Sequence, residues 1–137
     1  MLRRRTLCEC KRFVKPIEQK IMVINKTNAE HYRWGGDCDG WHLVKAQDLS
    51  IIHQRMAPGR GEQCHYHEVA RQCFFVISGE MTMELNGRRF TLQPGESIEV
   101  APGALHQIRN EAAQDTEYLV ISQPGTRNDR SILPGDH

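Results

Sequence analysis

Residues 64–79 read CHYHEVARQCFFVISG, with two histidines one residue apart, Gln72 five positions after the second, and an apolar run that stops at Gly79. In an extended chain, side chains alternate between faces. His65 and His67 therefore point one way and Cys64, Tyr66 and Glu68 the other. Two imidazoles on one strand face are what a metal ion needs from a strand, yet such a pair is also common on a solvated face. The run Gln72 to Ser78 is β-branched and aromatic, which predicts a strand with Gln72, Phe74 and Val76 on one side and Cys73, Phe75 and Ile77 on the other.

Outward from this stretch the chain keeps the same rhythm. Met81, Met83 and Leu85 alternate with Thr82 and Glu84, then Asn86-Gly87 supplies the backbone of a tight turn, and Phe90 and Leu92 resume the alternation. Residues 81–92 are therefore predicted to form a hairpin. Further strands are expected at Trp41 to Lys45, Leu49 to Met56, Ser97 to Val100, Leu105 to Arg109 and Glu117 to Ser122. That makes about eight strands at the spacing of a sandwich or barrel. Residues 22–40, with two tryptophans around Gly35-Gly36, read as a loop in which Trp34 and Trp41 cover an opening, a subunit contact or ordinary core. After Pro124-Gly125 the tail is polar apart from Ile132 and Leu133.

Composition sets the frame. The chain has 137 residues, 39% of them hydrophobic and 26% charged, a balance that suits one globular core. Its longest apolar stretch, Cys73 to Ile77, is far too short to span a bilayer as a helix, so no membrane partner is expected. Residues 1–21 carry seven basic and two acidic side chains, a local charge of +5, so the remaining residues sum to −4 against the net +1. The basic stretch lacks the aromatic interleaving of a nucleic-acid arm and the apolar core of a secretory signal. It is read as a disordered extension, or as sequence upstream of a native start at Met22, with no nucleic-acid partner. Residues 22–137 are read as one domain with its core at about 41–123. Five cysteines, an odd number without a CxxC pair, fit free thiols in a reducing cytoplasm.

The glycines and histidines also form a longer pattern. Gly59, five residues, His65-Tyr66-His67, four residues, Gln72, six residues and Gly79 resemble the first motif of the cupin family, whose fourth marked position is normally glutamate. Gly95, Pro102, Gly103, His106 and Asn110 resemble its second motif, with Ala101 where the first proline usually stands. The resemblance covers about residues 41–123. It implies an all-β fold, the double-stranded β-helix or jelly-roll barrel. It also implies a metal held by His65, His67, Gln72 and His106.

Gln72 is the departure. A carboxamide oxygen can bind a divalent ion but is neutral, so the site would keep a charge of +2 where a glutamate leaves +1. The donors suit iron(II), nickel, zinc, manganese or copper by type. Glu62 and Glu68 are the nearest carboxylates that could substitute, and Glu68 should face away. His53 either lines the cavity beside Gln54 and Arg55 or lies on the surface. Alternatively Gln72 is not a ligand and its amide orients a water or a substrate. Two functions remain open: a metal-dependent dioxygenase, isomerase or lyase acting on a small molecule, or a non-catalytic sugar or small-molecule sensor, with or without metal. Such cupins usually pair as homodimers, and Met22 to Trp34 is the candidate crossing segment.

Overall fold

The computed structural model describes residues 21–132. The basic extension, apart from Ile21, and the last five residues lie outside the described residues. Eleven strands and no helix make up the described chain: β1 (Glu30–Trp34), β2 (Cys38–Lys45), β3 (Ser50–Met56), β4 (His65–His67), β5 (Arg71–Ser78), β6 (Met81–Leu85), β7 (Arg88–Leu92), β8 (Ser97–Val100), β9 (His106–Arg109), β10 (Thr116–Gln123) and β11 (Arg130–Ile132). No helix among these residues is long and apolar enough to cross a membrane.

The strands form two sheets, ordered β1-β2-β3-β10-β5-β8 and β11-β4-β9-β6-β7, and every pairing is antiparallel. This is the all-β jelly roll that the motifs implied. The expected hairpin forms in full, with Met81 opposite Leu92 and Leu85 opposite Arg88. Its turn places Asn86 at φ 49° and Gly87 at φ 80°, the two left-handed positions that an Asn-Gly pair adopts with least strain.

Alternation decides what is inside. Phe74, Val76, Tyr118 and Val120 face inward from the larger sheet and meet Met81, Met83, Leu92 and Ile108 from the smaller one. Phe74 stacks on Tyr118 with ring centroids 6.3 Å apart. Each such aliphatic side chain contributes about 1.5–3 kcal/mol through burial. Phe75 and Ile77, on the opposite face of β5, stay exposed.

Two segments differ from the sequence expectation. Residues 22–40 were expected as loop, but 30–34 and 38–45 pair as a hairpin around Gly35-Gly36, so the expected strand from Trp41 begins three residues earlier. Glu30–Trp34 mixes charged and aromatic residues, and its edge position leaves one side chain in two in water, so hydrophobic periodicity is faint there. The polar tail also contributes a strand. β11 has only three residues and is held by β4, with Arg130 opposite His67 and Ile132 opposite His65.

Candidate metal centre

β4 is short because Gly59 and Gly61 break the chain before it and an exposed loop follows it. It nevertheless lies between β11 and β9, with His65 directly opposite His106. That register brings together the histidines 41 positions apart in the chain. His65, His67 and His106 are each at most 5% exposed. Their ring centroids lie 4.9, 4.3 and 5.6 Å apart, and one ligand atom from each lies within 4.8 Å of the other two. Among the described residues no carboxylate or thiol joins this group.

The rings are oriented from behind. Each Nδ1 faces a backbone carbonyl: His65 on Gln63 at 2.7 Å, His67 on Asp129 at 3.0 Å and His106 on Ala104 at 3.0 Å. An Nδ1–H donated to a carbonyl leaves Nε2 as the lone-pair nitrogen, which is the tautomer a metal requires. Burial is the first cause holding all three imidazoles below their ordinary pKa, with His65 lowered to about 3. The cluster is therefore neutral at neutral pH.

The segment carrying Asp129 fixes more than one ring. Its carboxylate accepts the backbone N–H groups of Glu68, Val69 and Ala70 at 3.0, 3.1 and 2.9 Å. The loop after β4 is thus tied to the strap 124–132 that carries the His67 partner.

Gln72 faces the same interior from the larger sheet. It is 5% exposed and lies two residues before Phe74, whose ring is 5.9 Å from that of His106. Its Nε2 donates to Ser122 Oγ at 3.1 Å, the residue directly opposite on β10. Gln72 Oε1 and His106 Nε2 are both buried without a hydrogen-bond partner. Two orphaned lone pairs in one interior are the arrangement a cation would relieve, so the residues present fit a divalent ion.

The nearby carboxylates divide as their environments dictate. Glu68 is exposed, as alternation required. Glu62 lies inside, with 17% of its side chain exposed, Oε1 3.9 Å from His65 Nδ1 and no partner for that oxygen. Burial pushes its carboxyl up to about 8, opposed by Arg130 and by the Ile108 backbone. The sequence named Glu62 as a possible substitute ligand, but its place in a glycine-broken loop gave no sign of burial. His53 lies on the outer face, with Nε2 2.9 Å from Glu117 Oε1, and not in the cavity. Trp34 packs against the core and Trp41 lies outside it, tilted against His31 and edge-on to His53.

Comparison with known proteins agrees with the fold. Residues 52–122 match the family model described as Cupin domain. The tetracenomycin polyketide synthase protein TcmJ of Streptomyces glaucescens is 31% identical over 67 residues, 49% of this chain and 45% of its own length. Quercetin 2,3-dioxygenase of Bacillus subtilis (strain 168) is 36% identical over 61 residues, 44% of this chain and 18% of its own. The chain thus spans less than half the length of these two relatives. Among solved structures, an RmlC-like cupin from Shewanella frigidimarina NCIMB 400 superposes with a TM-score of 0.70 at 19% identity, covering 82% of this chain and 98% of that one.

Proposed function

The chain belongs to the cupin domain family, and from that premise we propose that His65, His67 and His106 hold one divalent transition metal ion, with Gln72 Oε1 as a fourth donor, beside a bound small molecule. The observation that carries this reading is the buried, unpartnered pair of His106 Nε2 and Gln72 Oε1. A polar atom closed off from water without a partner costs about 1–3 kcal/mol, and one cation offsets that cost for both. Three imidazole nitrogens and an amide oxygen suit iron(II), nickel, zinc, manganese or copper. When bound, such an ion supplies Lewis acidity toward an oxygen-bearing ligand.

The chain's own residues do the rest. The carbonyls of Gln63, Ala104 and Asp129 hold the three imidazoles in one tautomer, and Phe74 and Tyr118 keep the interior apolar. Glu62 is the carboxyl placed to hold or move a proton beside His65. Likeness to quercetin 2,3-dioxygenase supports a metal-dependent dioxygenase, and an isomerase or lyase would use the same donors. A second reading, a non-catalytic sensor or store for a small molecule, is favoured by Gln72: a neutral donor holds the ion less firmly than a glutamate and suits reversible loading.

The test is metal analysis of the full chain purified without a metal-binding tag, followed by oxygen uptake on diketone and thiol substrates. About one equivalent of metal with uptake supports the enzyme, and metal without turnover supports the sensor. No metal after reconstitution with each divalent ion in turn would overturn both.

The same reading includes a homodimer in a reducing cytoplasm. Ile21 and Val23 are 89% and 84% exposed just before the edge strand β1, and Phe75 and Ile77 are exposed on the outer face of the same sheet. A second copy would cover both apolar surfaces. Sedimentation at micromolar concentration tests the pairing, and a monomer there overturns it.

A further inference from the structure

Beside the imidazole cluster lies an open cleft of about 340 Å³, lined by Tyr32, Trp34, Gln54, Glu62, Gln63 and Arg130. Its size lies at the lower end of small-molecule pockets. Its hydrogen-bonding state follows from one chain of donors. Tyr118 O–H donates to Gln54 Oε1 at 2.6 Å, and Gln54 Nε2 donates to Tyr32 Oη at 2.6 Å. Gln54 is thereby oriented, and Tyr32 is left with its own O–H to give.

The Tyr32 ring is fixed as well. A Cβ on residue 40 would stand 2.3 Å from Tyr32 Cζ, so only glycine lets the ring lie against β2. Trp34 shares that face, two residues on. Its Nε1–H is taken up by Asp39 O at 3.1 Å, so toward the cleft it offers ring surface alone. Arg130 makes no ion pair among the described residues, although its charge acts on Glu62. Glu62 Oε1 is buried and unpartnered.

The cleft thus presents a free O–H donor, a guanidinium without an ion pair among the described residues, an orphaned carboxyl oxygen and an indole wall. We propose that it seats a polyhydroxylated ligand of monosaccharide size, bound by neighbouring hydroxyls. A hydroxyl accepts from Tyr32 and Arg130, and it serves Glu62 in either state, donating to a carboxylate or accepting from a carboxylic acid. The C–H face of a sugar ring covers the indole. A simple carboxylate would satisfy Tyr32 and Arg130 but would leave the Trp34 indole face uncovered. Resting on the reading of the barrel interior as a small-molecule site, this adds the ligand's class and the residues that select it.

Saturation-transfer NMR on the full chain, metal-free and zinc-loaded, tests the assignment with D-glucose, D-mannose, D-galactose and D-xylose as probes and cyclohexanol as the single-hydroxyl control. At least one sugar should bind and cyclohexanol should not. Tyr32→Phe should weaken sugar binding about five-fold or more while zinc uptake by calorimetry is unchanged, and Glu62→Leu should weaken sugar binding by a similar factor. Tyr32→Phe, which deletes one oxygen, keeps the test open if Glu62→Leu does not fold. No sugar binding by a chain that takes up zinc, or equal sugar affinity in Tyr32→Phe, overturns the assignment and leaves the metal reading standing. Sugar binding without zinc uptake supports the cleft and removes zinc from the ions the centre could hold.

Discussion

Six of the histidines fall into two sets of three that use the same ring in opposite ways. His65, His67 and His106 anchor Nδ1 on backbone carbonyls and leave Nε2 for the interior. His31, His42 and His53 turn Nε2 toward carboxylates, Asp39 at 2.7 Å, Glu30 at 3.5 Å and Glu117 at 2.9 Å. Either partner occupies one nitrogen and leaves the other, as the unpartnered Nδ1 of His42 shows. What makes a histidine available as a ligand is convergence: only His65, His67 and His106, among the described residues, bring their nitrogens within 4.8 Å of one another.

The largest effect should separate the two sets outright. His106→Ala is expected to lower zinc affinity about a thousandfold or more, because one of three imidazole ligands is lost. His53→Ala should leave affinity unchanged. Calorimetric titration of both variants decides it, and an equal loss in His53→Ala would erase the distinction.

Protonation gives the next effect, in the metal-free protein. His65 is neutral when folded down to about pH 3, whereas an unfolded histidine titrates near 6.5. Between these values the unfolded state binds the extra proton. This contribution is intact above 6.5 and is lost as pH falls, on the order of 3 kcal/mol by pH 4. Glu62 acts in the opposite sense. Its raised pKa makes the folded state bind the extra proton between about 4.5 and 8, so its contribution is present at low pH and lost as pH rises. The measurement is therefore the difference in urea stability between wild type and His65→Gln across pH 4–8. A difference that does not vary with pH would mean that His65 is not held neutral by its burial.

Much of the inner set was legible in the sequence because its spacing is dictated by strand periodicity and by two glycine-bounded motifs. His65 and His67 share a face by alternation, and Gln72, Phe74 and Val76 turned inward as the pattern required. The outer set was not legible, since Asp39, Glu30 and Glu117 reach their histidines only through the pairing of β1 with β2 and the position of β10 beside β3. Arg130 was hidden for a related reason. It stands in a polar tail whose short strand exists only because β4 offers an edge.

Gln72 sharpens the comparison from the inside. Gln72→Glu adds a charged oxygen to a neutral cage, and zinc affinity should rise about ten-fold. Ser122 Oγ, which now accepts from Gln72 Nε2, can rotate its hydroxyl to donate to the new carboxylate, so the side chain keeps its anchor. Unchanged affinity would show that the residue is not a ligand.

The smallest effect is expected outside. Glu117→Gln removes the charge that His53 and Lys26 share, at side chains 27%, 20% and 44% exposed. Water screens such pairs, so the loss in urea stability should be at most about 1 kcal/mol, and 0.5 M sodium chloride should shrink it further. Zinc affinity should not move. If it did, the outer carboxylate would be acting through β10, whose inward residues Tyr118, Val120 and Ser122 alternate with Glu117 along the same strand. The two histidine sets would then be one coupled system and not two uses of one side chain.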